Sequence, residues 1–170
     1  MQKILPVAVA TIAMVVIALV AVWTQEGLLV PSLGSAVFIQ AFSPTQPSAT
    51  PYSIGVGQVL GVVGAFVGVY ISMSAWAPEF TAGHALVYGR VLAVLIAVLL
   101  TAGLQLALKA TSPAGGATAL VVALGIETPN WAGAGRILVG ILLVTVIGEV
   151  GRQLILRQQE RSAVSANARS

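Results

Sequence analysis

The segment Thr111-Ser-Pro-Ala-Gly-Gly-Ala-Thr-Ala-Leu120, TSPAGGATAL, follows an apolar run and packs a proline, two adjacent glycines and three hydroxyl side chains into ten residues. Irregular backbone at membrane depth leaves amides and carbonyls unpaired, at several kcal/mol per group. It persists only where protein or a water-filled cavity covers it. Whether this stretch ends a span, bends back or starts a new helix therefore decides the architecture.

The rest of the chain is built for a bilayer. Of its 170 residues 58% are hydrophobic and 8% charged, about a third of the charged fraction of a soluble domain. Uncharged runs extend over Ile4–Gln25, Gly27–Pro78 and Val91–Leu108, each long enough for a span of about 20 residues. A fourth apolar run, Ile137–Val150, lies between Arg136 and Arg152 and contains Glu149. A helix rises about 20 Å across it, so the flanking charges can snorkel to opposite interfaces. The composition predicts an integral membrane protein with four spans.

Charge placement adds a topology. Lys3 precedes the first span, while Arg152, Arg157, Arg161 and Arg169 follow the last; by the positive-inside rule both termini are cytoplasmic, as an even number of spans requires. The basic tail is read as this topology signal rather than as a nucleic-acid patch. The first apolar run is longer than a signal-peptide core and shows no clear small-x-small cleavage site, so it is expected to stay as a span. Without cysteine, disulfides and thiolate chemistry are excluded. The five acidic residues and one histidine are scattered over linkers and ends without metal-ligand spacing, and neither a GxSxG nor a phosphate-cradling motif is present. Enzyme, cofactor and metal chemistry are not expected, and His84 is expected on the surface of a cytoplasmic linker.

The interruption has a counterpart. Pro31-Ser-Leu-Gly34-Ser35-Ala36 aligns with Pro113-Ala-Gly-Gly116-Ala117-Thr118 at an offset of 82, and Pro51 through Leu60 aligns with Pro129 through Leu138 at an offset of 78, pairing Gln58 with Arg136. The difference falls in a loop, where length costs little. Each half reads as span, proline-glycine break, short helix, proline loop and span, with repeat one over 1–76 and repeat two over 84–155 in a single membrane domain 1–155. Residues 156–170 read as a polar, disordered cytoplasmic tail. The short pieces of about 9 to 11 residues reach only about 14 to 17 Å as helix, too little for a hydrocarbon core of about 30 Å. They are expected to dip in and return, giving two crossings per half and parallel repeats. The alternative is six crossings and inverted repeats.

The expected fold is an all-α integral membrane protein with four transmembrane helices plus two short re-entrant half-helices in two internal repeats. A half-helix start offers free amides and a positive dipole end to an anion, and breaks at equivalent positions of two halves point to a transporter's substrate site. The candidate substrate-binding residues are Gly34, Ser35, Ser112, Gly115, Gly116 and Thr118 at the two tips, converging from one side. Gln58 and Arg136 are candidates to guard the extracytoplasmic approach. Each also has a plainer reading: packing for the glycines, snorkelling for Arg136. Gly57, Gly61, Gly64 and Gly68 are read as a packing stripe, and Glu149–Arg152 as an interfacial ion pair.

SPAGGATALVVALG (112–125), PSLGSAVFIQAFSPTQPSATP (31–51) and the following GVGQVLGVVG together resemble the HPP family of small bacterial and plastid membrane proteins. That family is named for a His-Pro-Pro motif followed by an Ala-Gly-Ala-Thr-Ala-Leu-like run, and cyanobacterial and chloroplast members are associated with nitrite transport. The resemblance covers about residues 1–155 and implies a small inorganic anion, nitrite, as substrate. Here the motif reads Thr111-Ser112-Pro113, so no histidine role carries over. The expected partners are the lipid bilayer, the anion and further copies of the chain. The location implied is the bacterial inner membrane.

Overall fold

The computed structural model describes residues 4–24, 31–80 and 85–167; Lys3, His84 and Arg169, named above, lie outside the described residues. Among the described residues six α-helices follow one another: α1 (Ile4–Thr24), α2 (Pro31–Phe42), α3 (Pro51–Ile71), α4 (Tyr88–Ala107), α5 (Pro113–Ala123) and α6 (Trp131–Asn167), with a short 3-10 turn, Pro47–Ala49, before α3. Four of them, α1, α3, α4 and α6, are long and apolar enough to cross a membrane, and α2 and α5 are the shorter apolar pair. The chain is an all-helical membrane protein.

The helix boundaries follow local chemistry. α2, α3 and α5 each begin at a proline, whose missing N–H is no loss at the first helical position. Thr50 caps α3 by accepting the Ser53 amide, and Asn130 Oδ1 accepts the Gly133 amide at 2.7 Å at the start of α6. α3, α4 and α5 end alike. The amides of Ser74, Ala110 and Ile126 reach back to the carbonyls of Val69, Gln105 and Val121, and those of Met73, Lys109 and Gly125 to Tyr70, Leu106 and Val122. This double closure is a Schellman motif. Its left-handed residue is Gly125 in α5 (φ 82°) but Met73 (φ 53°) and Lys109 (φ 52°) in the other two.

Contacts between helices fix their directions. Tyr52, starting α3, donates to the carbonyl of Leu108 just past α4, and Gly68, near the end of α3, lies on Ala93, near the start of α4; the two are antiparallel. Ser112, before α5, binds Gln105 at the end of α4, whereas Arg90 at its start binds the carbonyl of Ala123. α5 thus runs back along α4, and parallel to α3, where Gly57 faces Ser112 and Gly61 faces Gly115 and Ala119. α6 opposes α3, with Gly55 beside Thr145 and Tyr70 donating to the carbonyl of Pro129. α2 runs with α6: Gln40 lies on Gly148 and Arg152 donates to the carbonyl of Pro44. α1 opposes α6, with Val9 on Gly151 and Leu5 beside Ile155.

The six helices therefore alternate in direction, and the halves α1–α3 and α4–α6 are related by inversion. This corrects the expectation of parallel repeats. The sequence locates the breaks but carries no signal for the direction taken after them. One consequence is that the α3–α4 linker lies at the end of the bundle opposite the termini, not on their side. Among the described residues α6 continues as helix to Asn167. A helix already nucleated in the membrane extends at little cost through a segment rich in Gln, Arg, Glu and Ala.

The core has two parts. One joins Ala10, Ala13 and Ile17 of α1, Leu33, Ala36, Val37 and Ala41 of α2, and Ile54, Ala114, Val121 and Val144 of the helices that face them. The other lies between α3, α4, α5 and the first part of α6. In the second part glycine decides the packing distance. A Cβ at Gly57 would sit 2.6 Å from Ser112 Cβ and 2.8 Å from the Ala110 carbonyl, and at Gly68 2.5 Å from the Ala93 carbonyl. At Gly61 and Gly64 it would collide with Gly115 and Thr101. The stripe is a packing surface, as its spacing suggests.

Candidate functional site

Ala114, Thr118 and Val121 share one face of α5, and Ile54 and Gln58 share one face of α3. Ala114, Val121 and Ile54 belong to the core that α2 also enters, so Thr118 and Gln58 point into the junction of the two halves. Both are wholly buried. Thr118 Oγ1 lies 3.3 Å from Gln58 Oε1 and 3.0 Å from the carbonyl of Ala114. The Gln58 Nε2, by contrast, is buried with no hydrogen-bond partner.

The start of α5 completes this site. Ser112 occupies the N-cap position, yet its hydroxyl makes no capping bond and is buried without a partner. The cap is supplied instead by Gln105 of α4, whose Oε1 accepts the Ser112 amide at 3.0 Å. Gln105 Nε2 donates to the carbonyls of Ser112 at 3.3 Å and Gly57 at 3.1 Å. One side chain thus ties α3, α4 and the break together. Gly115 packs on the backbone of Gly57, while Gly116 has nothing within 4 Å of a prospective Cβ. The amides of Gly115 and Gly116 are directed at the Ser112 carbonyl, at 3.1 and 3.5 Å.

Of the eight residues singled out from the sequence, Gln58, Ser112, Gly115 and Thr118 come together at the α3–α5 contact, with Gly116 beside them. Gly34 and Ser35 do not join them. α2 and α5 are antiparallel, so their starts lie at opposite ends of the bundle and the two tips do not converge. A Cβ at Gly34 would meet only Met14, at 3.9 Å, and the Ser35 hydroxyl donates to the Ser32 carbonyl at 2.8 Å. Inversion likewise places Gln58 near the terminal end of the bundle and Arg136 near the other. Arg136 is engaged by Glu127 at 2.7 Å, with Thr128 Oγ1 at 3.5 Å. Glu149 and Arg152 do pair, at 2.6 Å.

The residue most clearly missed from the sequence is Gln105. Its signal was there: an amide inside the apolar run TAGLQLAL needs a partner at membrane depth. Gln40 and Thr101 carry the same signal, and both are buried with unpartnered polar atoms. Arg90 was also passed over. It is 3% exposed and donates to the carbonyls of Ala77, Pro78 and Ala123, closing the ends of α3 and α5 together. Among the described residues no group of three or more potential metal ligands occurs.

Fold and site thus define a small polytopic membrane protein of two inverted halves with a neutral polar cluster between them. The chain matches the model of the HPP transmembrane region over residues 1–161 and belongs to the HPP family. No curated protein and no solved structure matches it.

Proposed function

We propose that the protein carries a small inorganic anion across the membrane, nitrite being the candidate from the family resemblance, with Gln58, Ser112 and Thr118 as the groups that replace its hydration. The observation that carries this reading is the Gln58 amide nitrogen, a donor wholly buried at the junction of the halves and unpartnered. A buried orphan donor is costly and is commonly retained for a ligand or an ordered water. The amide nitrogen can only donate, which suits an oxyanion, and the Ser112 hydroxyl at the start of α5 is likewise buried without a partner. Transporters built of inverted repeats bind their substrates at the junction of the halves, and Gln58 lies at that junction about 10 Å along α3 from its Pro51 end.

Orientation follows from charge. Lys109, Arg157 and Arg161 lie at the terminal end, whereas Arg90 and Arg136 at the other end are bonded inward. The positive-inside rule then makes both termini cytoplasmic, in a bacterial inner membrane. α1 and α4 bury only 22% and 28% of their spans, which leaves faces for further copies of the chain. Nitrite uptake into proteoliposomes of the pure protein tests the reading. Uptake well above that of empty vesicles is expected, and its absence under every imposed gradient would sink the proposal.

The direct contact of Gly57 with Gly115 favours a second reading, a non-transporting scaffold whose close-packed helices support a larger complex. It predicts a folded protein without uptake.

A further inference from the structure

We infer that α3, α4 and α5 form one rigid unit which moves against a second unit, α1, α2 and α6, and that this movement opens the Gln58–Thr118 site. The inference rests on the transport reading for its purpose but not for its geometry. The two units are equivalents under the inversion, since α4 and α5 pack on α3 as α1 and α2 pack on α6. They are not packed alike. Gly57, Gly61, Gly64 and Gly68 bring the backbones of α4 and α5 onto α3 so closely that none has room for a Cβ. The corresponding positions of α6 are Gly135, Val139, Leu142 and Val146. Gly135 meets nothing within 4 Å, and the other three are 50%, 66% and 63% exposed.

One unit is therefore locked by backbone contact through four successive turns. In the other the close approaches to α6, Gln40 on Gly148 and Val9 on Gly151, are made by side chains rather than by backbone. Between the two units lie the α2–α5 and α3–α6 contacts, which bury alanine and valine around Ala36, Val37 and Ala114 and leave an apolar cleft lined by Gly55, Val59, Leu138 and Thr145. Interfaces of small side chains without interlocking backbone slide at low cost. The Thr145 hydroxyl in this cleft is buried and unpartnered, so the present packing does not satisfy every group at the seam. Gln58 and Thr118 face the same seam.

The chain has no cysteine, which allows a direct test. Gly55→Cys with Thr145→Cys bridges the units, a Cβ at Gly55 lying 3.8 Å from Thr145 Oγ1. Ser74→Cys with Gly89→Cys bridges the turn that closes α3 to the start of α4 within one unit, at 3.4 Å between Cβ positions. Oxidation is expected to abolish nitrite uptake in the first variant, reversibly with reductant, and to leave the second active. Unchanged uptake in the first variant with its disulfide fully formed would overturn the inference. Spin labels at Leu99 and Leu142, one on each unit, and at Leu99 and Val63, both on one unit, separate this from the transport reading. In nanodiscs, with and without nitrite, the first pair is expected to show two distances and the second pair one. A single distance for both pairs overturns the inference even if uptake is measured. Absent uptake in the parent protein removes the transport reading alone, and the labels still decide the movement.

Discussion

The Gln105 side chain accepts the Ser112 amide at 3.0 Å and returns a bond to the Ser112 carbonyl at 3.3 Å, so one glutamine holds the break in both directions. Its third bond, to the Gly57 carbonyl, fastens the break to α3. Replacing Gln105 by leucine keeps the volume roughly but strands the Ser112 amide in the core, at a cost of about 1–3 kcal/mol. Reversible unfolding in mixed micelles measures this. A loss below about 0.5 kcal/mol would mean the break is held by packing alone.

Gln58 and Thr118 are predicted to behave unequally. In Gln58→Leu the orphan amide disappears while Thr118 keeps its bond to Ala114. Stability is expected to change by less than about 1 kcal/mol, and nitrite uptake to fall at least about tenfold, or ~1.4 kcal/mol in the barrier. Thr118→Val strands Gln58 completely and is expected to cost about 1–3 kcal/mol of stability. Uptake unchanged in Gln58→Leu would remove this glutamine from the site.

Two glycines separate packing from propensity. Gly61→Ala places a methyl group on the Gly115 carbonyl and is expected to destabilise by about 1–3 kcal/mol or more. Gly116→Ala meets nothing within 4 Å and is expected to stabilise α5 by about 0.5–1 kcal/mol. Thermal unfolding of the two variants, side by side, reads the difference; equal effects would contradict the close contact of α3 with α5.

Met73 ends α3 in the left-handed region and is 88% exposed. Met73→Gly removes that strain, worth about 1–2 kcal/mol before the entropy of glycine is deducted, so a net gain of about 0.5–1 kcal/mol is expected. A lower melting temperature for this variant would show that the methionine makes a contact that outweighs the strain.

What was legible in the sequence, and what was not, divides along a physical line. Hydrophobic length gave α1, α3, α4 and α6, and the offset of 82 paired the two breaks, but the short helices begin at their prolines, Pro31 and Pro113, ahead of Gly34 and Gly115 where the sequence reading starts them. Glycine spacing gave the α3 packing face because a missing Cβ acts locally. Direction was not legible, since TSPAGGATAL breaks a helix equally well whether the chain returns or continues. Gln58 and Arg136 occupy equivalent positions, but a neutral amide sinks into the core whereas a guanidinium seeks a carboxylate, and here it found Glu127. The grouping of Gln58, Ser112 and Thr118 depended on the parallel course of α3 and α5, which no local pattern encodes.

α6 runs unbroken from Trp131 to Asn167. Past Ile155, which is still buried against α1, it extends about 18 Å at 1.5 Å per residue. Such a rod is a lever arm: a tilt of about 10° in the buried part would swing the tip by about 3 Å, given that length. A fluorophore on Ser165, 10 residues past Ile155 on the same rod, would report that swing without touching the bundle.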